Sequence, residues 1–524
     1  MASVTNENGE KLGQTNNIEN ANTKTLTGSI SFNRLYNILG LKPKSNLANA
    51  FSRVRPNLEN QISEENEKIK KNNTFKKSAT ILVNLLSSLK RVQFNFSENN
   101  GKVIPGYLPN VGFFGTVDPS FGFTFGSQAD VRYEVAKRGW LTNFPNFNEP
   151  FVQIYNSKLN LSAQFNPLKH LTIDLNAERS YSNNLSENYR IEDQRYVSLN
   201  TNEYGNFGMS TILIKTAFSG GSGIVNNNFQ KFRDNRLIVA QRLAKIKPEG
   251  GIIVNDKDGF PEGYNKNHQT VMIASFLAAY SGTNPNKISL NPIQSTPLPN
   301  WSLTYTGLTK IKSIGRIFNR FSISHGYRSS YTLTNYQSNL EFDASQFSQK
   351  DRVGNYMTSR FYSNINLAEQ FNPLVRLDIE LKNSLKILTE IRRDRSLSLS
   401  LDNSLLTEQT GNEYIFGLGY RLKDLRIKTR LAGSRVTLSG DLNLKGDFSY
   451  RKNITLLRNL EYDNNQVTAG QTLMSIKFSA GYNLSKNLTS LLFYDHNFSE
   501  FAISTAFPQT SIRSGITIRY NFGN

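Results

Sequence analysis

The chain has 524 residues, no cysteine, a net charge of +20 and a mean hydropathy of −0.46. That composition excludes a disulfide framework, a thiolate metal site and cysteine nucleophile chemistry. No stretch approaches the roughly 18 apolar residues of a membrane helix, the longest run being Val271–Tyr280.

In chain order, Met1 to Thr25 is polar and rich in Asn, without the apolar core of a secretory signal. The sequence predicts a disordered start over 1–27 and a helical extramembrane segment over 28–90. Within that segment Ser31–Leu39 suits a short amphipathic helix. Pro56–Lys77 reads as a solvated helix or loop, and Ser78–Leu89 as a helix packed on another surface. A barrel protein first crosses the inner membrane. This start therefore fits either a carboxyl-terminal piece of a longer polypeptide or a chain that is not a barrel.

From residue 91 the period becomes two, with about 14 candidate strands to the end. Leu171, Ile173, Leu175 and Ala177 alternate with Thr172, Asp174, Asn176 and Glu178. Leu377, Ile379 and Leu381 alternate with Asp378, Glu380 and Lys382, and Leu397, Leu399 and Leu401 with Ser396, Ser398 and Ser400. Tyr414, Phe416, Leu418, Tyr420 and Leu422 share a face, as do Leu442, Leu444, Phe448 and Tyr450. The last strand places Ile516, Ile518, Tyr520 and Phe522 on one side and Thr517, Arg519 and Asn521 on the other. Strands of about 10 residues with this pattern span the apolar band of a bilayer. The expected fold is all-β: an antiparallel transmembrane β-barrel wall of about 14 strands from a larger barrel, with helical extramembrane insertions. An antiparallel sandwich with one face in water is the alternative.

The strand rhythm divides into barrel strands over 91–223 and 301–524 around an insertion at 224–300. There Phe229–Ile246 has helical spacing, with Phe229, Phe232, Val239 and Leu243 near one face, and His268–Tyr280 is a second helix. An insertion of this kind is a lid, a plug or a partner-docking site. Gln164–Leu168 and Gln370–Leu374 share the sequence Gln-Phe-Asn-Pro-Leu, read as two turns at one membrane face.

No catalytic constellation is present, and no enzyme or cofactor is expected. His170, His268, His325 and His496 lack ligand spacing. Asn255–Gly259 resembles a calcium loop, but Val254 and Asn265 fall where its first and last carboxylates belong, so a turn is the better reading. The excess Lys and Arg is dispersed and carries no nucleic-acid signature. A polar lumen, polar loops and anionic headgroups accommodate it.

Several phrases are more specific. They include Pro105, Gly106 in Ile104–Pro109; Gly139, Trp140 in Arg138–Thr142; and Pro261 in Asp258–Pro261. Tyr280 follows in Ala274–Gly282, then Pro299, Asn300 and Trp301, then His325 and Tyr327 in Ser324–Arg328. From about residue 28 onward this order resembles the carboxyl-terminal part of the SprA (Sov) family, the outer-membrane translocons of Bacteroidota type IX secretion. The resemblance implies a giant outer-membrane barrel passing folded proteins, with roles in surface-protein export and gliding motility. It implies a PorV-like barrel, a plug protein and a periplasmic isomerase-like subunit as partners, and cargo with carboxyl-terminal secretion domains. Family members are several times longer, so this piece is expected to be an open wall with unpaired edges. A smaller porin or transporter, or a secreted β-adhesin, are the other readings.

Overall fold

A computed structural model describes residues 2–5, 11–32, 88–110, 118–219, 225–246, 258–346, 348–431, 434–462, 464–484, 487–503 and 506–522. They form an antiparallel sheet of 16 strands. In order these are β1 (Ala2–Thr5), β2 (Lys11–Ser31), β3 (Leu89–Tyr107), β4 (Phe151–Phe165), β5 (Leu171–Glu192), β6 (Arg195–Ser210), β7 (Asn300–Tyr305) and β8 (Phe318–Ser338). Then come β9 (Arg360–Tyr362), β10 (Asn364–Leu381), β11 (Leu385–Ser400), β12 (Leu405–Leu431), β13 (Ser434–Asn459), β14 (Asn465–Asn483), β15 (Leu488–Phe501) and β16 (Gln509–Tyr520). The sheet is a meander from β1 to β16, and those two strands are not paired with each other. The fold is thus an all-β antiparallel wall with helical insertions. Several strands exceed what a bilayer crossing needs, β12 reaching 27 residues.

Periodicity explains the wall's two faces. Strands β11 and β12 pair from Leu385↔Tyr420 to Ser400↔Leu405 without a register shift, so alternation persists along their whole length. Ile387 and Ile391 face the same way as Tyr414, Phe416, Leu418 and Tyr420, their cross-strand partners among them. Register carries this apolar row on through Phe448 and Tyr450, Ile476 and Phe478, Leu492 and Tyr494, to Ile516 and Ile518. The opposite face carries Lys386, Glu390, Arg392 and Asp394, then Glu413, Arg421, Lys445 and Arg451.

Two differences from the sequence reading follow. The polar start, expected to be disordered through residue 27, contains β2, paired with β3 from Asn16↔Tyr107 to Ser31↔Arg91. Its apolar row is thin (Ile18, Leu26, Ile30), and the ladder to β3 supplies what composition does not. The remainder of the segment expected to be helical, 33–87, lies outside the described residues. The second Gln-Phe-Asn-Pro-Leu copy is not a turn. Gln164–Leu168 joins β4 to β5, but Gln370–Leu374 lies inside β10 as a bulge, with the register stepping from Phe371↔Arg393 to Val375↔Ile391. Pro373 has no N–H to give the ladder, and a bulge satisfies that as well as a turn does.

Candidate functional site

The site begins where a strand breaks. β6 and β7 lie end to end in the same slot between β5 and β8. β5 pairs Arg179↔Met209 in β6 and Asn176↔Asn300 in β7; β8 pairs Ser330↔Ser210 and Tyr327↔Trp301. The chain leaves the wall after Ser210 and returns at Asn300. Breaking a ladder strands backbone groups, and two side chains recover them. The Ser210 hydroxyl accepts from Glu178 N at 3.0 Å and donates to Leu298 O at 2.6 Å. Asn300 Oδ1 accepts from Ser329 N at 2.7 Å.

Between these points run a short 3₁₀ turn, Ile214–Thr216, and two of the chain's helices. We number helices as α1 (Phe121–Thr124), α2 (Arg132–Lys137), α3 (Asn227–Ile246) and α4 (Gln269–Ser281). Asn226 caps α3, its Oδ1 accepting from Asn228 N at 2.8 Å. Helix α4 is apolar all round and has ten consecutive buried residues, Val271–Tyr280. Gly282 ends it in the left-handed conformation (φ 67°) that glycine adopts without a Cβ clash. Phe229 and Phe232 of α3 and Met272, Phe276 and Tyr280 of α4 form one core with Met209, Leu333, Leu367, Leu397, Leu399 and Leu406 of the wall.

That core fixes the insertion's position. Leu397 and Leu399 share a face with Ile387 and Ile391, and Leu406 shares one with Tyr414 and Phe416. The insertion therefore packs on the apolar face, over one end of the strands. It does not lie over the polar face as a lid or plug in a polar path would. Tyr414, Phe416 and Leu418 below it stay 41–49% exposed, whereas Leu397, Leu399 and Leu406 are 0% exposed.

Two buried ion pairs lock the contact. Arg395 Nη2 donates to Glu369 Oε2 at 2.9 Å, and the same guanidinium reaches Thr216 O at 3.0 Å. Glu369 also accepts from Tyr327 Oη at 2.8 Å, which in turn accepts from Leu213 N at 2.7 Å. Arg458 Nε donates to Glu408 Oε2 at 2.8 Å, and Asn226 Nδ2 donates to both Glu408 oxygens at 3.0 and 3.1 Å. Arg395, Glu408 and Arg458 thus each meet both a wall partner and a group of the insertion, Arg458 through the Phe229 ring, while Glu369 is held by the wall residues Arg395 and Tyr327. His268, at the start of α4, is buried against Tyr264. Burial pushes its imidazole down to about 4, against a backbone hydrogen bond at Tyr356 that raises it.

A second satellite, 118–150, covers the same face near β2–β6. Val131, Val135, Leu141, Tyr107, Phe151 and Tyr189 form its core. Arg132 bonds Asp130 at 2.8 Å and also pairs with Glu187, its guanidinium 4.4 Å from the Phe151 ring centre. The Arg132 hydrogen bond holds the Asp130 carboxyl below its ordinary range.

The polar face carries a lattice of alternating charge. Arg392 bonds Glu390 at 2.6 Å and Glu413 at 3.3 Å; Arg451 bonds Glu413 at 3.4 Å and Asp394 at 2.8 Å. Arg376 adds a contact to Glu390 at 3.5 Å. A face of this kind keeps water and holds no large apolar row.

The motif residues fall into four places. Pro105 and Gly106 at the end of β3 pack against Gly139 and Trp140 of the 118–150 satellite and its neighbours: Pro105 O accepts from Tyr189 Oη at 2.5 Å, Gly106 O accepts from Thr142 N at 2.9 Å, and Trp140 packs edge-on to Tyr107. A Cβ on Gly106 (φ 74°) would lie 2.7 Å from Tyr189 Oη. Pro261 O accepts from Tyr264 N at 3.1 Å in the turn before α4. Tyr280, Pro299, Asn300, Trp301, His325 and Tyr327 gather around the broken strand. Trp301 stacks on Tyr327 at 4.4 Å, and His325 Nδ1 lies 2.7 Å from Leu374 O in the β10 bulge. Ile516, Ile518 and Tyr520 stand on β16, 52–69% exposed, with Phe522 just beyond. In the suggested calcium loop, Asp258 Oδ1 accepts from Phe260 N at 3.2 Å, closing a turn; residues 255–257 lie outside the described residues. Ser210, Glu369, Arg395, Glu408 and Arg458 were not singled out from sequence. For Glu369, Arg395, Glu408 and Arg458 the signal is a charge set on the face that carries the apolar rows; Ser210 lies on the opposite face, at the last rung before the break, and has no such signal.

No known family's profile and no curated protein matches the chain. Among solved structures, an anion-selective porin from Comamonas acidovorans is similar over 71% of this chain and 96% of its own length, at 10% identity. Its TM-score of 0.10 is too low to carry an argument.

Proposed function

We propose that the chain forms part of the wall of a protein-conducting outer-membrane β-barrel, the carboxyl-terminal part of a type IX translocon of the SprA kind. The observation that carries this reading is the division of one unbroken sheet into a bare apolar row and a charged, water-keeping face. A row such as Tyr414–Leu422 runs roughly 26 Å along the strand, close to the apolar band of about 25 Å on barrels. Among the described residues β1 is paired with β2 alone and β16 with β15 alone, which supports a wall completed by further strands. Transport through it involves no covalent chemistry. The partners in this reading are outer-membrane lipid, a PorV-like barrel, a plug protein and a periplasmic isomerase-like subunit. Cargo carries a carboxyl-terminal secretion domain, and export serves gliding and surface display.

Immunoblotting of fractionated cells with an antibody to β16 tests the proposal. The expected result is a band in the outer membrane at far more than 59.3 kDa. A band at that mass in the same membrane favours a separate porin-like barrel, and a soluble band sides with an adhesin and against the membrane reading. Deleting residues 226–292 then tests the insertion: normal membrane insertion with lost export is expected.

A further inference from the structure

The turn that leads from the broken strand into the helices presents an unusual surface. Its inner side is bolted down: Leu213 N to Tyr327, Thr216 to Arg395, and Ala217 against Tyr327 and Phe371. Its outer side is Ile214, Lys215 and Phe218, all exposed, Phe218 to 53%. Phe218 rests on Phe371 with ring centres 5.3 Å apart, and the Arg393 guanidinium lies 4.7 Å from the ring centre.

The height of this turn is set by register. Phe371 pairs with Arg393; the next pair down the same face is Val375↔Ile391, and Ile391 pairs with Tyr414. Val375 and Tyr414 are 42% and 49% exposed and begin the bare apolar row. Phe218 therefore sits one same-face pair, about 7 Å along the strand, beyond that row. A headgroup layer is about 5–7 Å thick on each side of the hydrocarbon core. An exposed aromatic beside two cationic side chains at that height matches the chemistry of the layer: rings favour the interface, and Lys and Arg favour lipid phosphate.

We infer that Ile214, Lys215 and Phe218 are a foot that seats the insertion in the lipid headgroup layer. The inference rests on the membrane reading given above. The foot is continuous with the apolar row below it, and its cations complement anionic headgroups.

The absence of native cysteine makes a direct test simple. Spin labels are placed singly by Lys215→Cys and Phe218→Cys, with Phe416→Cys in the bare row and Val353→Cys in a distant exposed loop as references. The whole chain is reconstituted in nanodiscs with anionic lipid, and label accessibility to oxygen and to a water-soluble nickel chelate is measured. Labels at 215 and 218 are expected to exclude nickel several-fold better than the label at 353, at a depth shallower than 416. Labels at 215 and 218 as nickel-accessible as 353, with 416 in lipid, overturn the foot and leave the membrane reading standing. A nickel-accessible label at 416 overturns both. The exposed Lys215 position guards against local unfolding at Phe218.

Discussion

The two halves of β12 make the most instructive comparison in the molecule. Leu406 and Glu408 lie on the same face as Tyr414, Phe416 and Leu418, with no bulge in the β11–β12 ladder between them. One half is sealed under the helices and holds a buried charge; the other is bare and holds none. In the membrane reading proposed above, a charge on the apolar row marks where protein, not lipid, covers the wall.

The sharpest way to break that comparison is Glu408→Ala. It removes the Glu408 carboxylate from Arg458, which is 1% exposed, and removing one member of a buried pair costs about 3–5 kcal/mol. The expected outcome is insertion helices that become protease-sensitive while the strands stay protected. If the helices remain resistant, the ion pair is not what holds them. In the bare half, Phe416→Arg is expected to cost about 2–4 kcal/mol, measured by denaturant unfolding in lipid vesicles. The same change at Ser449 on the polar face should have little effect, and equal costs at both sites would remove the distinction between faces.

Acidification separates the halves in another way. His268 binds its proton less readily folded than unfolded, so its contribution is complete above its ordinary value of 6.5. That contribution is lost as the pH falls from 6.5 toward about 4, up to about 3 kcal/mol. Hydrogen exchange in α4 should accelerate over this window, with the bare strands unmoved, and His268→Gln should flatten the response. The smallest effect is expected from Asn300→Ala, which leaves Ser329 N without its acceptor, at about 1–3 kcal/mol. Local exchange at Ser329 and Ser330 reads it, and unchanged protection would argue against the side-chain stitch.

Much of the wall was legible in sequence because side-chain alternation is a strictly local signal. The rows at Tyr414–Leu422 and Ile516–Phe522 needed only that period. Helices α3 and α4 lie within two residues of the spans their spacing predicts, Phe229–Ile246 and His268–Tyr280. Strand β2 was not legible, because its order comes from pairing with β3 and not from its own Asn-rich composition. Nor was the side on which the insertion sits. Leu397 and Leu399 read like any lipid-facing pair, and only contacts with residues distant in sequence distinguish cover by Phe276 from cover by lipid. The proline in the second Gln-Phe-Asn-Pro-Leu copy allows a bulge and a turn equally, and the neighbouring strands decide.

The broken strand has a consequence for how such a wall changes over time. On β8, Ser330 pairs with the last residue before the insertion and Tyr327 with Trp301 just after its return. Only Arg328 and Ser329 separate those two partners, so a short link from Ser210 to Asn300 spans the gap with both neighbours kept in register. The joint is therefore a modular port. Whatever is spliced there can grow, shrink or be exchanged without renumbering a single rung of the ladder, and a foreign domain grafted between Ser210 and Asn300 would leave the sheet at the same point as the native helices, which lie on its apolar face.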